Sequence, residues 1–173
     1  MSSADKASRY LRTPPISTDR STTMAAITPS LWFDDDLEAA LEFYRSVFDD
    51  MTVHHVGTAG DAVTTASFEI NGQRFLAMNA GPMFPFTEAV SFTIDCADQA
   101  EADRYYDALL DGGEQSQCGW LKDRFGLSWQ IVPARLPELL ADPDPARARA
   151  AMGAMMSMTR IVVADLEAAV AAV

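Results

Sequence analysis

The sequence predicts an α+β fold: two βαβββ modules, followed by C-terminal helices. Three observations predict it. A strand, acidic cap, helix and strands order occurs twice along the chain. The dipeptide Asn71-Gly72 separates two β-like stretches, a strong signal for a two-residue hairpin. The two helical segments also align at an offset of 62 residues, which pairs Asp36 with Asp98, Ala40 with Ala102, Tyr44 with Tyr106 and Asp49 with Asp111. Four identities in fourteen positions, joined to the same element order, read as an internal duplication.

Residues 1–26 read as a disordered tail, crowded with Ser and Thr, interrupted by Pro14-Pro15 and without apolar period. Lys6, Arg9, Arg12 and Arg20 invite a transit-peptide reading. Asp5, Asp19 and the double proline spoil the amphipathic helix such a peptide needs, so a plain tail, or a start at Met24, fits better. The first module is expected over 27–80. Ile27 to Phe33 reads as a strand, and Asp34-Asp35-Asp36 as the N-cap and first-turn charge of a helix. Leu37, Ala40, Leu41, Tyr44, Val47 and Phe48 then recur at helical spacing, giving one buried face. Thr52 to Val56, Ala62 to Ile70 and Arg74 to Met78 supply three strands.

The second module is expected over 88–133. From Ala89 to Asp95, Val90, Phe92 and Ile94 alternate with Ser91, Thr93 and Asp95. Asp98 caps a helix carrying Ala102, Tyr106, Leu109 and Leu110, which Gly112-Gly113 ends. In the extension, 134–173, Asp142-Pro143 and Asp144-Pro145 are helix-start signals. Met152, Met155 and Met156 form a stripe that reads as core or dimer contact, and Asp165 reads as the cap of a last helix.

Composition narrows the function. The 173 residues are 49% hydrophobic and 22% charged, the profile of one globular domain. The formal net charge of -12 repels nucleic acid and anionic membrane surfaces, so neither is an expected partner. No apolar run approaches the roughly 20 residues of a bilayer span. Cys96 and Cys118, without a secretory signal, point to reduced thiols and a cytoplasmic protein.

Phe33-Asp34-Asp35 through Phe43-Tyr44, the Asn71-Gly72 hairpin, the run Cys118-Gly119-Trp120-Leu121-Lys122-Asp123-Arg124-Phe125-Gly126-Leu127-Ser128-Trp129-Gln130-Ile131-Val132-Pro133 and the ending Ala154-Met155-Met156-Ser157-Met158 together resemble one family. It is the PhnB-like branch of the vicinal oxygen chelate (glyoxalase and bleomycin-resistance) superfamily, whose members are often labelled demethylubiquinone methyltransferases. The resemblance implies that the two modules form a cupped mixed sheet, usually in a homodimer, with a small molecule held inside the cup. It also implies that catalytic relatives hold a divalent metal with His or Glu, which polarises vicinal oxygens of a substrate. Carried over one at a time, those positions fall near Pro29, near Ala89, near Asn79 and on Gln130, none of which is His, Glu, Asp or Cys. No metal or other cofactor is therefore expected.

The residues offer few substitutes. His54 and His55 are adjacent in an expected strand, so their side chains should point to opposite faces and not share an ion. Asp34, Asp35 and Asp36 read as capping and solvated charge, and Asp61, Asp142 and Asp144 as turn or cap residues. Cys118 is the one candidate nucleophile, but no histidine lies near it, and Lys122-Asp123 reads as a turn. A Gly-rich cofactor turn after a strand is missing, so methyl transfer finds no support in the residues.

What remains is a polar inward face. Ser128 and Gln130 share one face of the last strand, and Ser91 and Thr93 one face of the strand before the second helix. Helices need apolar faces to pack on, so these polar sets should line the concave side, with Met78 and Trp120 as an apolar wall and Asn79 nearby. The expected function is metal-independent binding of a small, apolar, oxygen-bearing molecule by Gln130, Ser128, Ser91, Thr93, Asn79, Met78 and Trp120. The alternative is a superfamily enzyme (lyase, isomerase, dioxygenase or transferase) with an unconventional site.

Overall fold

The computed structural model describes residues 27–173; the tail expected over 1–26 lies outside the described residues. The first module runs β1 (Ser30–Phe33), α1 (Leu37–Val47), β2 (Thr52–Ala59), β3 (Ala62–Ile70) and β4 (Gln73–Asn79). The second runs β5 (Ser91–Cys96), α2 (Gln99–Leu110), β6 (Glu114–Gln115), β7 (Trp120–Lys122) and β8 (Ser128–Pro133). Each module closes its own four-stranded mixed sheet, ordered β1-β4-β3-β2 and β5-β8-β7-β6. In both, the first strand runs parallel to the last. The duplication seen in the helices thus extends to the topology. The C-terminal helices α3 (Arg135–Leu140), α4 (Pro145–Met155) and α5 (Val163–Ala171) follow.

Asn71 and Gly72 both adopt positive φ, 48° and 78°, and join Ile70 to its partner Gln73. That is the backbone a tight hairpin with right-handed strand twist requires. The aligned residues Ala40 and Ala102, and Tyr44 and Tyr106, are buried in both helices. Small side chains there let each helix approach its sheet, and the tyrosines fill the space beside them.

The helix-bearing faces of the two sheets share one core. The Tyr44 ring stacks on Phe68 of β3 at 6.5 Å and meets Trp129 of β8 edge-on at 6.0 Å. Phe75 of β4 packs edge-on against Phe92 of β5 at 5.1 Å. The two sheets therefore stand back to back in one protomer, and their other faces look outward.

A buried carboxylate locks this arrangement. Asp123, 2% exposed, accepts hydrogen bonds from the Tyr44 hydroxyl (2.8 Å), Trp129 Nε1 (2.9 Å) and the Phe125 and Leu127 amides (2.9 and 3.1 Å). Desolvating a carboxylate costs several kcal/mol, and hydrogen bonds to a charged group return about 1.5–3 kcal/mol each. Burial wins: it pushes the Asp123 carboxyl above its ordinary range, against the pull of those four donors. The turn expected at Lys122-Asp123 begins one residue later: Lys122 ends β7, and Gly126 N donates to the Asp123 carbonyl. What the turn presents is a buried acceptor tying the two modules together.

Several local expectations are corrected. Asp36 stands at the N-cap position of α1 without a side-chain cap. Asn79 does that work from the end of β4, accepting from Leu37 N at 2.9 Å and donating to the carbonyls of Val63 (2.9 Å) and Asp35 (3.3 Å). A register shift at Val53–His55 makes a bulge in β2. It turns His54 onto the face of Glu69, which it meets at 3.6 Å, while His55 pairs with Ser67 on that same face. The two histidines thus share a face. Asp165 lies inside the first turn of α5, whose N-cap position is Val162. The methionine stripe, expected as core or dimer contact, divides: Met155 packs into the core, and Met152 and Met156 are exposed.

Two outcomes follow for stability. Tyr44→Phe removes one donor to a buried charge and should cost about 1.5–3 kcal/mol at neutral pH by denaturant unfolding. A folded-state carboxyl pKa above the unfolded one means that Asp123's contribution falls as pH rises through that raised value. Losing a donor raises it further, so the Tyr44→Phe deficit should shrink as the acid is protonated; a deficit that grows on acidification would contradict the network. Asn79→Ala should cost about 1–2 kcal/mol through the lost cap of α1, whereas Asp36→Ala should cost distinctly less in the same assay.

Candidate functional site

The outward faces are where the sequence places its polar residues. On the second sheet, strand pairing sets Ser91 beside Ser128, Thr93 beside Gln130, and Trp120 and Lys122 beside Gln130 and Ser128. Phe92, Ile94, Trp129 and Ile131 alternate with them and enter the core. Gln130 Nε2 donates diagonally to Ser91 Oγ at 2.8 Å. That bond orients the amide and leaves its carbonyl oxygen as an open acceptor on the face.

Ser128 differs from its neighbours. Its residue is 1% exposed, and its hydroxyl finds no hydrogen-bond partner among the described residues. It lines a niche of about 110 Å³ with Trp120, Lys122 and Glu88. Lys122 Nζ meets Glu88 Oε1 at 2.6 Å across the rim. This hydrogen bond lowers the Glu88 pKa and raises that of Lys122, so both stay charged. A buried, unpartnered hydroxyl beside a charged rim is a costly arrangement that a bound polar atom would relieve. At the far end of the same face, Val132 is covered by the cluster of α3–α5.

The sequence-predicted set divides accordingly. Gln130, Ser128, Ser91, Thr93 and Trp120 converge on the outward face of the second sheet. Met78 lies on the outward face of the first sheet, beside Trp32 and Thr65. Asn79 faces neither, because its amide is committed to α1 and to two carbonyls.

The positions at which catalytic relatives hold a divalent metal do not fit one. Pro29 offers a carbonyl already bonded to Leu76 N, Ala89 sits in the turn before β5, Asn79 is spent, and Gln130 is an amide. Among the described residues no group of three or more His, Cys, Asp and Glu side chains is arranged to hold an ion. His54 and His55, though on one face, lack the further ligands a transition metal requires. The thiols fit nucleophilic chemistry poorly. Burial pushes the Cys96 thiol up to about 11. Cys118, at φ 58°, has Met156 Sδ 3.8 Å from its sulfur and no base beside it.

Comparison with known proteins places this geometry. The family model described as 3-demethylubiquinone-9 3-methyltransferase matches residues 25–132. The PhnB protein from Bacillus cereus is 29% identical, over 64% of this chain and 100% of that one, with a TM-score of 0.60. Protein PA1353 from Pseudomonas aeruginosa, at 21% identity over 64% of this chain and 98% of its own, has a TM-score of 0.55 and shares the fold. So does the fosfomycin resistance protein FosX from Listeria monocytogenes, 15% identical over 68% of this chain and 97% of its own, with a TM-score of 0.53. No curated protein sequence matches. No described helix is long and apolar enough to cross a membrane. With its two βαβββ modules and this match over more than half its length, the chain belongs to the PhnB-like, 3-demethylubiquinone-9 3-methyltransferase family of the vicinal oxygen chelate superfamily.

Proposed function

We propose that the protein binds a small, largely apolar, oxygen-bearing molecule without a metal, at a cup assembled by two copies of the chain. The observation that carries this reading is the unpartnered, buried Ser128 hydroxyl beside the Gln130–Ser91 pair. Gln130 supplies an acceptor, Ser128 a donor, and the Trp120 ring a flat apolar wall, which together suit a carbonyl or hydroxyl on an apolar body. Amides and hydroxyls bind such groups by hydrogen bonding and make poor ligands for transition metals.

The second copy follows from the back-to-back sheets. Within one protomer the two polar faces point away from each other, so neither is a closed pocket. Leu76, 45% exposed, and the half-buried Trp32 and Met78 leave an apolar strip on the first sheet. Set opposite the second sheet of a partner, that strip would roof the Gln130 face and exclude water from it. Gln130, Ser128, Ser91, Thr93 and Trp120, so enclosed, form a binding surface; none is positioned as an activated base or nucleophile.

Sedimentation should give a dimer at micromolar concentration, and Leu76→Lys should shift it to monomer. A thermal-shift screen of small carbonyl and hydroxyl compounds should find saturable stabilisation, about 2.7 kcal/mol at a ligand concentration near 100 Kd. Gln130→Ala and Ser128→Ala should each weaken that stabilisation at least several-fold without changing the dimer. One Ni, Co, Mn or Zn ion retained per subunit after desalting would overturn the metal-free reading.

A further inference from the structure

A second cleft lies at the other end of β1 from the carried-over position near Pro29. It has a volume of about 240 Å³ and opens between β1 and the loop at residues 81–86. Its walls are aromatic. Trp32 and Phe84 meet edge to face with centroids 5.0 Å apart and planes at 79°, forming a corner. Phe86 meets Phe33 in the same way at 5.2 Å, and Phe125 closes the side next to Phe33. The corner is held rigidly. Trp32 Nε1 donates to the Gly81 carbonyl at 2.7 Å, and Gly81 N donates to the Asp34 carbonyl at 3.0 Å. Gly81 has φ 84°, which suits glycine and lets the loop turn back over β1. Met83 and Phe84, 72% and 58% exposed, stand in solvent at the rim.

Two carboxylates, Asp34 and Asp36, line the same cleft. Neither forms an ion pair with a described residue; the nine ion pairs there use other acids. Asp36 is also released from capping, because Asn79 satisfies Leu37 N in its place. A capping carboxylate would be spent on the backbone. This one is free to face a ligand.

We propose that this cleft binds a small organic cation carrying a methylated ammonium group. Ring faces attract a cation within about 6 Å of their centroids, and a methylated ammonium sheds its weak hydration readily to enter an aromatic corner. The carboxylates supply the charge complement, and the net charge of -12 raises the local cation concentration. A hard inorganic ion fits poorly, because aromatic walls cannot replace its water and no cluster of three ligating side chains is present among the described residues. A neutral apolar ligand would draw nothing from the two carboxylates, whereas a cation would. The volume falls below the roughly 300 Å³ at which pockets for drug-sized ligands begin, so the occupant is small.

The test compares choline with its uncharged carbon isostere, 3,3-dimethyl-1-butanol, by isothermal titration of the full chain at matched ionic strength. Choline should bind saturably and at least about tenfold more tightly than the isostere. D34N/D36N, changed at exposed positions where Asn is still accepted at an N-cap, should remove most of that preference and leave isostere binding unchanged. Trp32→Leu should weaken both ligands; should it fail to fold, the Asp pair alone decides the charge dependence. Gln130→Ala should leave choline binding intact, which separates this site from the Gln130 face of the cup. Equal affinity for the two ligands, insensitivity to D34N/D36N, or no saturable choline heat up to about 10 mM would each overturn the proposal. Binding to phosphatidylcholine vesicles without binding of free choline would overturn it too, by assigning the cleft to a lipid headgroup.

Discussion

The buried Asp123 carboxylate is the constraint on which the rest of the molecule depends. It brings a hydroxyl from the first module, an indole from the second and two amides of its own loop to one acceptor. Hydrophobic burial would hold the two helix-bearing faces together in many relative positions, because it has no direction. The directed bond from Tyr44 to a charge that its own module already holds in place selects a single position. Once Tyr44 is anchored between Phe68 and Trp129, the polar faces must point outward.

The same economy appears around α1. Where the chain carries three consecutive aspartates before a helix, local physics offers each of them to the helix N-terminus. Asn79 intervenes from β4, where its amide can serve Leu37 N and two carbonyls together, which a carboxylate cannot. The helix is capped by a residue distant in sequence, and Asp34 and Asp36 remain beside an aromatic corner. Three structural facts, the cap, the loop and the aromatic stack, thus converge on one small cleft.

Much of the fold was legible because its signals are local and periodic. Alternation in β5 and β8 placed Ser91, Thr93, Ser128 and Gln130 on one side and Phe92, Ile94, Trp129 and Ile131 on the other, and the register agrees. Asn71-Gly72 demanded its hairpin by backbone sterics alone. Less of the candidate site was legible. The bulge that turns His54 onto the face of His55 has no residue signature in Thr52 to Val56, so strict alternation misplaced it. Asn79 looked like a lining residue because its partners lie in β3 and α1, sixteen and more than forty positions away. Asp123 looked like a turn residue because its Tyr44 partner is seventy-nine positions distant. The signal that could have raised it was the acid's place between apolar Leu121 and Phe125, where a solvated charge would be out of keeping.

By itself the sequence determined most helices and strands, though not β6, α3 or the bulge in β2, together with the duplication, the alternation of faces and the chemical types of donor available. Each of these depends on neighbours within a turn of helix or a pair of strands. Tertiary structure decided how the modules face each other, which carboxylate is buried, which acid caps nothing and which hydroxyl lacks a partner. Those outcomes rest on contacts between residues far apart in the chain, and the free energy of such a contact exists only once the backbone has brought both groups to hydrogen-bonding distance.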